Sequence, residues 1–222
     1  MESNYIQITQ TMLQGARITL LVFFIVLAAS IPLGFFITLL GRSKFKVIGW
    51  IINIYITVMR GTPLILQLFF VYFALPYVPV IGPHITLDRL PAALIAFTLN
   101  YAAYFAEIFR GGLMAIDKGQ YEAAKVLGFN KIQTFIHIII PQMIRVSLPA
   151  LSNEAITLVK DTSLLYVISI AEISYVAKTA VSREASVFPL VIAGALYLLI
   201  ILILTIILRF IEKKFSYASK SL

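Results

Sequence analysis

Apolar residues in this chain fall into five long blocks, with most of the charged residues in the segments between them. Ile18–Leu40 and Ala185–Leu208 are uncharged. Val47–Val78 carries only Arg60, and Leu90–Phe109 only Glu107. Pro141–Ile170 holds Arg145, Glu154, Lys160 and Asp161. A membrane-spanning helix needs about 20 predominantly apolar residues, so the pattern predicts an all-α integral membrane protein with five transmembrane helices. The last block is apolar all round, as expected of a lipid-facing helix.

The interruptions set the boundaries. Glu2–Gly15 is polar-amphipathic and reads as an interfacial lead-in to the first span. Gly41-Arg42-Ser43-Lys44 stops that span, and Pro76, Pro79, Gly82 and Pro83 mark residues 75–89 as an external loop. Gly111-Gly112 ends the third span on the inside, and residues 113–140 form the longest segment between spans. The third span carries Ala92, Ala93, Ala96, Ala102, Ala103 and Ala106; small residues let helix backbones approach closely. Inside the second span stands Arg60-Gly61-Thr62-Pro63. Proline cannot continue the hydrogen-bond ladder, and Thr followed by Pro is a helix-start signal. Two half-helices and a simple proline kink are both consistent with this.

At 60% apolar and 13% charged over 222 residues, the composition leaves little surface for a soluble globule. No stretch outside the spans is long enough to bury its own core, so residues 1–222 are expected to form one membrane domain. Met1–Gln14 lacks a basic leading region, and no cleavable signal peptide is expected. Cysteine is absent, His84 and His137 are isolated, and no metal site is expected. The net charge of +8 follows topology rather than a nucleic-acid partner. Twelve cations cluster at one side: Arg42, Lys44, Lys46, Arg110, Lys118, Lys125, Lys131, Arg145, Arg209, Lys213, Lys214 and Lys220. Four (Arg17, Arg89, Lys178 and Arg183) lie on the other. Basic residues accumulate on the cytoplasmic face, which puts the N-terminus outside and the C-terminus inside.

Charges inside a membrane are costly and mark function. Placed by rise per residue, Arg60, Asn100 and Glu154 reach a similar depth near the midplane on three different spans. Asp161 lies two helical turns from Glu154 on nearly the same face, about 10 Å along the axis, with Lys160 turned about 100° away. Ser147 and Thr157 extend the stripe into a polar lane. Two carboxylates on one face suit a ligand with cationic groups, although an Arg60–Glu154 salt bridge serving assembly alone is the competing reading. A half-helix opening at Thr62-Pro63 would present free N–H groups and its positive dipole end to an anion such as an α-carboxylate. Glu107 and Arg110, three residues apart, are expected to pair with each other. Tyr101 and Tyr104 either line a path or pack. Candidate substrate-binding residues are therefore Asn100, Glu154, Asp161, Gly61, Thr62 and Thr157.

No phosphate-binding loop of the G-x-x-x-x-G-K-[ST] type and no catalytic serine constellation occurs. The chain is not expected to be an enzyme; if ATP supplies energy, another chain binds it. Internal repeats of the kind that build secondary transporters are also missing.

Residues 122–141 read Glu122-Ala123-Ala124, then Gly128, then Ile138-Ile139-Ile140-Pro141. With Tyr104–Gly112, Lys118-Gly119-Gln120, Arg60–Pro63 and Lys160-Asp161-Thr162-Ser163-Leu164, the chain resembles the permease subunit of bacterial polar amino-acid ABC importers, the histidine/glutamine/arginine type. The likeness covers essentially the whole chain; Ile140 in place of Leu is its mild departure from the Glu-Ala-Ala signature. The resemblance implies a type I ABC importer permease fold in a prokaryotic cytoplasmic membrane. It implies a coupling loop at about 111–140, with Glu122, Ala123, Ala124 and Gly128 engaging a cytoplasmic ATPase dimer. ATP and Mg would then bind that partner, and this chain would carry no cofactor. It also implies a second permease copy, identical or related, and an extracytoplasmic amino-acid-binding protein. Asp161 stands where the family commonly has Asn, which leans the expected substrate toward a basic amino acid (arginine, lysine or histidine) over glutamine or glutamate. A stand-alone transporter or channel, or a non-transport scaffold, would have no use for the coupling loop.

Overall fold

A computed structural model describes residues 2–79, 82 and 87–217. His84, part of the expected external loop and Lys220 lie outside the described residues. The elements in chain order are α1 (Glu2–Gly41), α2 (Lys46–Gly61), α3 (Leu64–Phe69), α4 (Arg89–Met114), α5 (Lys118–Val126), α6 (Lys131–Thr134), α7 (Ile140–Asp161), α8 (Ile173–Glu184) and α9 (Phe188–Tyr217). Among the described residues, four helical runs are long and apolar enough to cross a membrane, and α2 with the run opening at α3 makes a fifth when the bent pair is counted as one broken span.

The lead-in is not separate: α1 is continuous from Glu2. Ile8 and Met12 are buried and pack with Ile173 and Ala177 of α8, so apolar side chains that read as interfacial have a protein partner. Gly111-Gly112 does not end the third span either. α4 runs through both to Met114, and a Cβ on Gly112 would sit 2.1 Å from the Ser147 hydroxyl, so this glycine serves helix–helix contact rather than termination.

α4 is the hub. All six of its predicted small residues are buried, together with Phe97, Tyr101 and Phe105. Opposite them on α1, a Cβ on Gly34 would lie 2.7 Å from Phe105 Cβ and 2.8 Å from the Ala102 carbonyl. Backbone meets backbone there, and the Thr38 hydroxyl donates across the seam to Ala106 O at 2.9 Å. α9, by contrast, packs one face on the core through Tyr197, Ile200, Ile201 and Leu204 and has few fully buried residues.

The fourth span starts earlier than Pro141. Asn130 caps α6 in a reciprocal capping box with Gln133, and the helix continues through a π turn at Phe135–Ile139 into α7. Proline lacks an N–H and crowds the carbonyl four residues back, so the widened turn just before Pro141 is where the ladder yields. A second π turn, Phe70–Ala74, stands before Pro76 in the same relation. The last span begins at Phe188 rather than Ala185, which instead closes α8 in a left-handed conformation, φ 49°. α8 itself went unforeseen: Ile173–Glu184 mixes polar and small residues and matches no membrane-length pattern.

Candidate functional site

The chain bends by 107° between α2 and the helical run opening at Leu64. That is a break, not a kink. Thr62 and Pro63 are both extended, at ψ 147° and 133°. Thr62 does not cap forward as its sequence position suggested; its hydroxyl donates back to Val58 O at 2.8 Å. Gln67 and Asn100 hold the break. Gln67 Nε2 donates to Met59 O and to the Thr62 hydroxyl, at 2.9 and 2.8 Å. Asn100, buried at 3% exposure in α4, donates both amide hydrogens, to Met59 O and to Gln67 Oε1, each at 2.9 Å. Both targets are acceptors, which fixes the orientation of the Asn100 amide and leaves its oxygen for the space beside it.

That space is a cavity of about 410 Å³ lined by Thr62, Pro63, Leu64, Ile65, Asn100, Tyr101, Tyr104, Glu154, Thr157, Asp161 and Leu164. Five of the six sequence candidates for substrate contact are among them. Gly61 is not. It is the last residue of α2, and no heavy atom comes within 4 Å of where its Cβ would sit. Pro63 has no N–H, and the amides of Leu64 and Ile65 are the ones a helix start leaves unpaired.

The two acids differ in their company. Asp161 Oδ2 accepts the Tyr101 phenol at 2.7 Å. Glu154 makes neither a hydrogen bond nor a salt bridge among the described residues. The Arg60–Glu154 bridge is absent: Arg60 instead lies 3.6 Å from Glu107 Oε1 and over the Tyr104 ring, 5.4 Å from its centroid. Glu107 is also clasped by Arg110, whose Nε donates to Oε2 at 2.7 Å, as the three-residue spacing predicted. Ser147 packs at the α4–α7 crossing, outside the cavity. Gln67 was missed at the sequence level, although a lone amide in the apolar run after Pro63 was the available signal.

Beyond the C-terminal end of α4 lies the segment expected to be the coupling loop. Asp117 caps α5 by accepting from the Gly119 amide at 2.6 Å, which starts the helix at Lys118. Gly128, at φ 81°, ends it. Its amide donates to Lys125 O and that of Phe129 to Ala124 O, the paired bonds that close a helix on a left-handed glycine. Ala124 faces inward and is buried; Glu122 and Ala123 are exposed. So are Val126 at 87%, Leu127 at 73% and Ile132 at 70%.

Residues 30–217 match the protein family described as the binding-protein-dependent transport system inner membrane component. The chain belongs to this family. The permease is 40% identical over 205 residues to the arginine transport system permease protein ArtQ of Bacillus subtilis (strain 168), covering 91% of each chain. Against the L-cystine transport system permease protein TcyB of the same organism it is 37% identical over 188 residues, covering 83% of this chain and 78% of that one. A crystal structure of an amino acid ABC transporter with histidines contains a chain that matches at a TM-score of 0.86 and 33% identity, over 95% of this chain and 96% of that one. The permease is thus the multi-pass membrane subunit of an amino-acid ABC importer, and ATP hydrolysis falls to a separate ATPase. Membership implies ATPase and binding-protein partners and a dimer. The stand-alone transporter and scaffold readings are set aside.

Proposed function

We propose that the permease imports a basic amino acid, held in the 410 Å³ cavity by Glu154 and Asp161. The observation that carries this reading is Glu154. It is a carboxylate in a membrane helix, lining a cavity, with neither hydrogen bond nor ion pair among the described residues. A charge left so is expensive in hydrocarbon, and a cationic side chain entering the cavity answers it. Asp161 offers its second oxygen to the same ligand, Thr157 and the Asn100 oxygen accept from its donors, and the α-carboxylate turns to the amides of Leu64 and Ile65 beside Thr62. The likeness to an arginine permease supports the basic substrate; the comparable likeness to a cystine permease means that similarity alone does not choose it.

The rest of the reading follows the charge pattern and the family. The N-terminus lies outside and the C-terminus inside, and α5 with exposed Val126 and Leu127 docks on a cytoplasmic ATPase dimer that binds ATP and Mg. This chain binds no cofactor, a second permease copy completes the pathway, and a binding protein delivers substrate from outside. Because the chain has no cysteine, single cysteines report topology cleanly. Label should reach a cysteine at Ser3 from outside and one at Ser219 only from the cytoplasm; the reverse pattern overturns the orientation.

The substrate reading is tested on the purified permease–ATPase complex without binding protein, which isolates the membrane site. A charge-assisted contact contributes roughly 1.5–3 kcal/mol, so Glu154→Gln and Asp161→Asn should each weaken arginine or lysine binding about ten- to a hundredfold and glutamine binding far less. Equal affinities in all three proteins, with the complex assembled, would reduce both acids to structural residues.

A further inference from the structure

Arg60, in the last turn of α2, carries a charge that neither the cavity nor the coupling loop uses. It is loosely held. Its Nη1 lies 3.6 Å from Glu107 Oε1, beyond hydrogen-bond distance, and among the described residues its guanidinium donates no hydrogen bond. Glu107 does not depend on it. Arg110 clasps that carboxylate with two bonds, Nε to Oε2 and Nη2 to Oε1. The helices do not need Arg60 either. Across the same α2–α4 seam the Tyr55 phenol donates to Leu99 O and the Asn100 amide to Met59 O. The other contact of Arg60 is an aromatic face: its guanidinium carbon stands 5.4 Å from the centroid of the Tyr104 ring.

A ring face beside a carboxylate is chemistry that suits a guanidinium or an ammonium ligand. Here the chain's own guanidinium fills the place. The Tyr104 ring also lines the 410 Å³ cavity, so the two share a wall. Glu107 stands about one helical turn, ~4.5 Å, beyond Tyr104 toward the C-terminal end of α4, which is the cytoplasmic end in the orientation proposed above. The side chains of Arg60 and Glu107 are 39% and 27% exposed, so packing seals in neither. When Arg60 leaves, Glu107 keeps Arg110 and its charge stays answered.

We propose that Tyr104 and Glu107 form a second cation seat, one turn inward of the cavity, which Arg60 fills at rest and yields to the cationic side chain of the substrate on its way to the cytoplasm. Arg60 is then a stand-in for the ligand. The inference rests on the reading of the substrate as a basic amino acid.

The seat is tested with radiolabelled methylguanidine, which carries the head group of arginine without its amino-acid part. Equilibrium dialysis counts the equivalents bound by purified permease–ATPase complexes of wild type, Arg60→Ala and Arg60→Ala/Glu107→Gln, with complex yield as the check on folding. Arg60→Ala should bind one equivalent more per permease than wild type, and the double variant should lose it. Equal stoichiometry in wild type and Arg60→Ala overturns the seat, and so does an extra equivalent that survives Glu107→Gln. Passage of the substrate is read in proteoliposomes. Glu107→Gln keeps an acceptor for Arg110 but offers the ligand no charge. ATP-dependent arginine uptake should therefore slow about tenfold, the loss of one charge-assisted contact, while equilibrium arginine binding, set in the cavity, holds. Uptake at the wild-type rate overturns the transit role. The cavity reading fails by a different result: if Glu154→Gln and Asp161→Asn bind arginine as wild type does, it falls and takes the transit role with it, while the stoichiometry of Arg60→Ala still decides the seat.

Discussion

The cavity and the coupling loop are inverted in opposite senses. In the cavity, Asn100, Glu154 and Asp161 place polar groups among membrane helices. At the coupling loop, Val126, Leu127 and Ile132 hold apolar side chains out at a polar surface. Each inversion costs free energy in the isolated chain, and the function proposed above relieves each by something that binds: a cationic solute in one place, a protein groove in the other. Exposure alone does not carry this lesson, because α9 also exposes Leu198, Leu202 and Ile206. Those side chains lie on a membrane span, where lipid is the normal neighbour. What marks a site is a side chain unsuited to its surroundings.

The largest effect that could break the comparison is at the coupling loop. Gly128→Pro removes the φ 81° turn and the amide bonded to Lys125 O, and Leu127→Asp puts a charge into the apolar patch. ATP-dependent uptake into proteoliposomes should fall to background in both, with permease content of the membrane unchanged; retained uptake in both would mean that the exposed apolar residues dock nothing. The smallest effect should come from the lipid-facing control. Leu202→Ala on α9 should change stability by no more than ~0.5 kcal/mol and leave uptake at the wild-type rate; a strong loss would show that α9 has a protein partner and that exposure there has been misread.

The parts legible in the sequence were those governed by one local rule. Membrane length picked out the spans, small residues the α1–α4 seam, and spacing the Glu107–Arg110 pair. Rise per residue is constant in a helix, so depth grouped Asn100 of α4 with Glu154 of α7, which line one cavity; Arg60, the third residue at that depth, meets Glu107 instead. Partnerships across helices were not legible. Arg60 has two acids within plausible depth, and only packing decides that it meets Glu107. Thr62-Pro63 reads as a capped start, yet the hydroxyl has a nearer acceptor in Val58 O. Glu172, fully buried between α7 and α8, carries no pattern at all: a single acid in a short mixed segment looks like surface until Tyr197, from a different span, is known to donate its phenol to it.

α5 joins the two walls of the cavity. α4 supplies Asn100, Tyr101 and Tyr104, α7 supplies Glu154, Thr157 and Asp161, and the short helix between them in the chain is capped by Asp117 on one side and closed by Gly128 on the other. Mechanically this is a handle with stiff joints spanning a pair of jaws. Both ends of α5 have their backbone groups answered within the chain, so in the orientation proposed above a push on α5 from the ATPase would reach both jaws through one short rigid element.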